Sequence, residues 1–408
     1  MESAHSQNQS WRYRPWVMVW PIAMTQLISW GCIYYAFAVF IVPLQAEFGW
    51  SKQSINLALT LALLVMAAST YPLARYLDLK GGWVPMSGAA GVAAILLLAL
   101  SQINSYGAFV GLWVLLGICM SALLYEPAFV VVSQVFGGKA RAGMTALTLV
   151  AGFSSTVFIP LTEFVVQARG WRDTHILLAA IMAGIVLPVH LFFIPPKRIR
   201  HAHHHDSGNH FRLSRLMREP VYWGLAAWAS LHAFMLVGLF FQLVPWLKSE
   251  GVALRVIVIA IAVMGPMQVT GRLLVMLFGK NVSIAGIGVA TAMLFPCAVY
   301  SLAYGAKTLA VLSVAIGLFG MANGITTILR GAIPAEWFVP EHYAKVAGAI
   351  AVPAITLGAL APFAFAFVWE QWGISSMLLL AIGVSLASCA SFIFAVYAKP
   401  AGANLFQT

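Results

Sequence analysis

From Trp16 to Tyr397 the chain is an almost unbroken succession of apolar runs, each about as long as a bilayer is thick. A helix rises 1.5 Å per residue, so about 20 apolar residues cross the hydrocarbon. Runs of that kind fall at roughly 16–43, 53–75, 84–103, 106–136, 142–167 and 173–194, then at roughly 221–247, 253–278, 282–304, 308–333, 343–369 and 373–397. Strands of a membrane barrel would alternate polar and apolar residues at every second position, and these runs do not. Charge supports the same reading. Only 9% of the residues are charged, against about a quarter in a soluble domain, too few to wet a surface of this length. The expected fold is all-α and integral to the membrane, with twelve transmembrane helices in two six-helix bundles.

The long polar stretches divide the chain. A tail (1–15) leads into a first bundle (16–194), a His-rich linker (195–220) into a second bundle (221–397), and a short tail (398–408) follows. The first apolar run is too long for a signal-peptide core and is expected to be retained. The net charge of +11 does not read as a nucleic-acid surface, because the basic residues sort by side. With the N-terminus inside, 15 Lys and Arg fall on the inner side against 6 outside, and Arg272 and Arg330 lie within helices. That bias places both termini and the linker in the cytoplasm, in an inner membrane. Cys32, Cys119, Cys297 and Cys389 lie in apolar runs without a CxxC pair, which reads as four small buried hydrophobes.

The two halves repeat. Pro43 pairs with Pro245, Gly49 with Gly251, Phe136 with Phe338 and Pro160 with Pro362, each 202 residues apart. Two bundles related in this way mark a transporter architecture in which substrate binds near the membrane midplane where the bundles meet.

Six plus six helices, a basic central linker and the turn Ala74-Arg75-Tyr76-Leu77-Asp78-Leu79-Lys80-Gly81-Gly82-Trp83 resemble the major facilitator superfamily. Its loop between helices 2 and 3 reads G-x-x-x-D-R-x-G-R-R. Asp78 and Gly81 match, while Ala74 replaces the first glycine and the basic residue moves to Lys80. The resemblance implies that Asp78 stabilises the outward-open state from the cytoplasmic side. Within the superfamily, Tyr35 to Ile55 (YAFAVFIVPLQAEFGWSKQSI) is similar to the monocarboxylate porters and the oxalate:formate antiporters. So is the helix-8 run ending in Gly271-Arg272, where those porters carry an arginine that pairs with substrate carboxylate. Gln268 stands where animal porters have an aspartate, and Val39 where they have a lysine, so their proton machinery does not carry over whole. Helix 5 reads Gly152-Phe153-Ser154-Ser155, without the Gly-Pro motif of proton-driven drug exporters.

Ionised side chains at bilayer depth are costly unless they are paired or face water, which singles out Glu126, Glu163, Arg272 and Arg330. Arg272 lies about 12 Å from the inner end of its helix, too deep for easy snorkelling. Its planar fork matches a carboxylate in two parallel bonds; the other reading is a structural arginine on helix carbonyls. Glu126 precedes Pro127, which should loosen helix 4, and reads either as a proton-exchanging carboxylate or as a fixed ion-pair partner. Glu163 lies near the outer end and is taken as interfacial. His232, in mid-helix 7, titrates in a useful range or is simply a satisfied core histidine. Tyr34, Tyr35 and Asn323 are candidate substrate-orienting groups, with the expectation that the two adjacent tyrosines do not both face one site.

Since Phe136 and Phe338 are repeat mates, Glu126 and Arg330 differ in depth by only about 3 Å, and a gate between them is expected. The loop His201 to His210 has imidazoles enough to hold a soft metal weakly, but reads as a solvated tether, so no metal site and no cofactor is expected. The function expected is proton-linked or exchange transport of a small organic anion, a mono- or dicarboxylate, by a monomeric unit that performs no covalent chemistry. The rivals are efflux of drugs or divalent metal and, in another class, a non-transporting membrane sensor.

Overall fold

The structure is a computed structural model that describes residues 11–137, 140–196, 213–278, 282–305, 307–338 and 343–399. Among them the regular structure is helical and no sheet forms. Ten stretches are long and apolar enough to cross a membrane. Two of these, Ala142–Phe193 and Val346–Ala398, exceed 50 residues and turn back at a glycine in mid-course. Gly170 (φ 83°, ψ 169°) and Gly373 (φ 83°, ψ 172°) adopt a conformation that is essentially restricted to glycine. Each of these two stretches joins two helices at that glycine, an arrangement consistent with the twelve expected passes.

By contact, the chain forms two compact units. The first contains the residues up to Phe48 and those from Leu61 to the linker; the second contains Gly49–Thr60 and the residues after the linker. In the first unit, helix 1 is α1 (Pro15–Trp30) and α2 (Phe37–Phe48), joined by a π-helical turn at Gly31–Tyr35. Helix 2 is α3 (Lys52–Lys80) and helix 3 is α4 (Trp83–Leu100). Helix 4 is divided into α5 (Tyr106–Leu123) and α6 (Tyr125–Phe136). Helix 5 starts as α7 (Ala140–Ala151) and continues in α8 (Ser154–Ile181), which runs on past Gly170 into helix 6; a second π turn at Met182–Val186 then leads to α9 (Leu187–Phe193).

In the second unit, a single turn, α10 (Leu213–Leu216), precedes α11 (Pro220–Ser249), which is helix 7. Helix 8 is α12 (Leu254–Ala262) and α13 (Met264–Phe278). Helix 9 is α14 (Ile284–Tyr304), helix 10 is α15 (Leu309–Trp337), and α16 (Tyr343–Ala398) supplies the last two passes. The first turns of α3 pack within this unit. Gln242 Nε2 donates to Asn56 Oδ1 at 3.2 Å, the Phe363 amide donates to Thr60 Oγ1 at 3.3 Å, and the Lys52 ammonium lies 3.6 Å from the Trp369 ring.

The repeat is visible in backbone and packing. Gly49 and Gly251 both have positive φ, 66° and 74°. Ser105 and Thr308, 203 residues apart, cap helices 4 and 10 by accepting from Ala108 N and Val311 N. A Cβ on Gly117 would lie 2.2 Å from the Ala62 carbonyl oxygen, and one on Gly320 would lie 2.6 Å from that of Met264. Small residues at equivalent points thus let helices 2 and 4, and 8 and 10, approach backbone to backbone, as membrane packing favours. From its cap to its terminal phenylalanine, helix 4 (Ser105 to Phe136) has one residue more than helix 10 (Thr308 to Phe338). Helix 4 is broken at Leu124, whereas α15 runs through.

One end of the first unit is tied together by Arg172. It pairs with Glu47 at 2.7 Å and donates to the carbonyls of Ser101 and Ile103 and to Asn104 Oδ1. One sequence expectation needs correction. Cys297 is exposed, while Cys32, Cys119 and Cys389 are buried, because α14 turns that face outward. Glu163, placed near a helix end by the sequence, is 1% exposed within the fold and accepts from Gln167 Nε2 at 3.1 Å. Distance from a helix end sets the depth of a residue but not the face it occupies.

Candidate functional site

Irregular backbone at membrane depth survives only where protein or a water-lined cavity satisfies its polar groups. The first unit has such irregularity in helices 1 and 4, close to several candidate residues. In helix 4, Pro127 lacks the N–H that would bond the carbonyl of Leu123, four residues back, and its ring crowds that carbonyl. The chain responds by extending at Leu124 (φ −84°, ψ −160°) and starting a new helix. Gln26 of α1, fully buried, donates from Nε2 to Leu123 O at 2.7 Å and takes the place of the missing bond. Glu126 stands in the first turn of the new helix, where the positive end of the backbone dipole favours a carboxylate, and it is exposed.

In helix 1 the π turn is closed by Ala36 N donating to Gly31 O, an i→i+5 bond, at 3.0 Å. The wider turn changes which side chains share a face. Tyr34 and Tyr35 both pack on Trp30, with ring centroids at 4.9 and 5.9 Å, and on each other at 5.2 Å. In a π turn i+4 and i+5 both lie over residue i, so the two adjacent tyrosines share one aromatic neighbour. Tyr125 joins the group 4.9 Å from Trp30 and stacks on Phe129 at 5.5 Å. The result is a half-buried aromatic cluster across the irregular parts of helices 1 and 4.

The second unit brings three of the predicted residues together. His232 on α11 is 2% exposed, packs on Phe295 at 4.4 Å, and lies beside the side chain of Asn323 and within the field of Arg330. Arg330 is exposed and reaches across to Ala229 O of α11 at 3.4 Å. The register explains the grouping. Asn323 and Arg330 are seven residues apart on one face of α15, and Ala229 and His232 three apart on one face of α11. The two helices run antiparallel, so the pairs meet in order. Arg272 is half-buried on α13, next to Gly271, whose Cβ would lie 2.6 Å from Met321 O of α15. Gly324 approaches Gln268 O in the same way, so α13 is held close against the helix that carries Asn323 and Arg330.

The side chain of Asp78 and the loop His201 to His210 lie outside the described residues. Among the described residues no group of three or more His, Cys, Asp or Glu is placed to hold a metal. Sequence reasoning missed Gln26, whose partner is 97 residues away, and the aromatic grouping, which depends on a π turn that no residue pattern announces. It also passed over His190, fully buried in the first unit between Thr25 Oγ1 at 3.0 Å and Met86 O at 3.2 Å.

The model of the Major Facilitator Superfamily matches residues 19–317. Among solved structures the chain is similar to a bacterial homolog of the human lysosomal transporter Spinster in its inward-facing, occupied conformation. That match has a TM-score of 0.70 and 14% identity and covers 96% of each chain. The nucleoside transporter NupG matches with a TM-score of 0.68 and 14% identity, over 94% of this chain and all of the other. At such identity the likeness is one of fold. No curated protein matches the chain. The helical passes, the internal repeat and a family model covering most of the chain lead to one conclusion: the protein belongs to the Major Facilitator Superfamily.

Proposed function

We propose that the protein moves a small organic anion, a mono- or dicarboxylate, across an inner membrane by alternating access, linked to a proton or to exchange. It acts as a monomer, with both termini and the linker on the cytoplasmic side. The observation that supports an anionic substrate is the pair of arginines in the membrane helices of the second unit. Arg330 is exposed, and its bond to Ala229 O is long at 3.4 Å. A purely structural arginine would use its fork on carbonyls at shorter range. His232 and Asn323 supply polar groups beside it, suited to orienting a carboxylate that the guanidinium neutralises. The resemblance of Tyr35 to Ile55 and of Gly271-Arg272 to carboxylate carriers points to the same substrate class.

Uptake of a labelled carboxylate panel into proteoliposomes, with and without a pH gradient, tests this. At least one mono- or dicarboxylate is expected to accumulate, and Arg272→Lys and Arg330→Lys are each expected to lose most of the uptake, since an ammonium cannot reproduce the bidentate fork. A panel without any transported carboxylate, alongside uptake of a nucleoside or a cation, overturns the assignment.

A further inference from the structure

The first unit has a feature that transport does not explain: a cleft of about 440 Å³ between helices 2, 3 and 4. Each helix contributes one face. Ser69, Leu73 and Tyr76 come from α3 and Pro85, Ala89 and Val92 from α4, at spacings of three and four, and Ile118, Ser121 and Ala122 come from α5. The floor is closed, with Cys119, Ser121 and Ala122 buried and the Ser121 hydroxyl satisfied by Ile118 O at 2.7 Å. The walls are open, since Val92 and Ile118 are about half exposed. All three faces lie inside membrane-spanning stretches, so an uncovered apolar cleft here meets acyl chains rather than water.

One end of the cleft is basic. Lys80 continues the α3 stripe one turn beyond Tyr76, and its ammonium lies 5.7 Å from the Tyr76 ring. Lys80 and Arg75 are both exposed. The distribution of Lys and Arg assigns this end of α3 to the cytoplasmic surface, where anionic headgroups attract basic side chains. We propose that the cleft binds one anionic phospholipid, with an acyl chain between Leu73, Ala89, Val92 and Ile118 and the phosphodiester at Lys80.

The second unit supplies an internal comparison. Its cleft on helices 8, 9 and 10 is smaller, about 190 Å³, and is lined by Val275, Ile284, Ile287, Ile328 and the carboxylate-bearing Glu336. An acid there disfavours a phosphate, so headgroup selectivity belongs to the first cleft.

Native mass spectrometry of the full chain, with phosphatidylglycerol and phosphatidylcholine of identical acyl chains, tests it. The unsubstituted protein is expected to retain phosphatidylglycerol preferentially. Lys80→Gln should lower that retention several-fold, towards the phosphatidylcholine level. Val92→Trp, which closes the cleft from an exposed position without disturbing the core, should lower retention of the same adduct. Retention unchanged in both variants overturns the proposal. So does displacement by glycerol phosphate alone, which would make the site one for a free anion, or a dimer peak that falls with Val92→Trp, which would give the cleft to a second copy.

Discussion

At the scale of single residues, the clearest dependence is between Gln26 and Pro127. The proline removes a donor from helix 4 and the glutamine returns it from helix 1. Gln26→Leu keeps the volume but leaves the buried Leu123 carbonyl without its partner, at a cost of about 1–3 kcal/mol. Pro127→Ala restores a backbone N–H at that point. The two changes should therefore be non-additive: Gln26→Leu destabilises the native protein but is nearly neutral on a Pro127→Ala background. Thermal unfolding of the four variants in detergent checks this, and additive losses would contradict it. Part of this site was legible beforehand. That Pro127 disturbs helix 4 follows from proline's missing N–H, and Arg272, Arg330 and Glu126 announce themselves as charges in apolar runs. Gln26 gives no such signal, because its role depends on a carbonyl 97 residues away.

At the scale of elements, the spacing of apolar runs and punctuating residues was enough to place the helices, and the constant offset of 202 revealed the repeat. What the spacing hid was local. The offset is 203 for Ser105 and Thr308, for Gly117 and Gly320, and for Gly170 and Gly373, a one-residue slip that a search at a fixed separation misses. Nor do Gly31 to Tyr35 differ in composition from any apolar helix, so the π turn and the shared face of Tyr34 and Tyr35 were not readable. The two hairpin glycines make a definite prediction. At φ 83° with ψ near 170°, a Cβ is strained even though nothing lies within 4 Å of it. Gly170→Ala and Gly373→Ala should each cost about 1–3 kcal/mol. An unchanged unfolding midpoint for both would show that the backbone turns elsewhere.

For the whole molecule, a charge pair that changes partner is one device by which alternating access can be gated, and the repeat nominates Glu126 and Arg330. At the Phe136–Phe338 offset of 202, Glu126 corresponds to Ile328, two residues before Arg330, so the two charges are expected to differ in depth by only about 3 Å. The gate proposed from the sequence predicts that Glu126→Arg and Arg330→Glu each abolish transport and that the double swap recovers it; a double variant as inactive as the singles contradicts the pairing. The central claim, that this chain is a carrier for an organic anion and not a sensor on a transporter fold, is tested most directly by counterflow. Proteoliposomes loaded with an unlabelled carboxylate and diluted into a trace of the labelled compound, with no ion gradient, should accumulate label transiently above the outside concentration. Arg330→Lys should abolish the overshoot. Equilibration without an overshoot, or no entry of any carboxylate, would contradict the account.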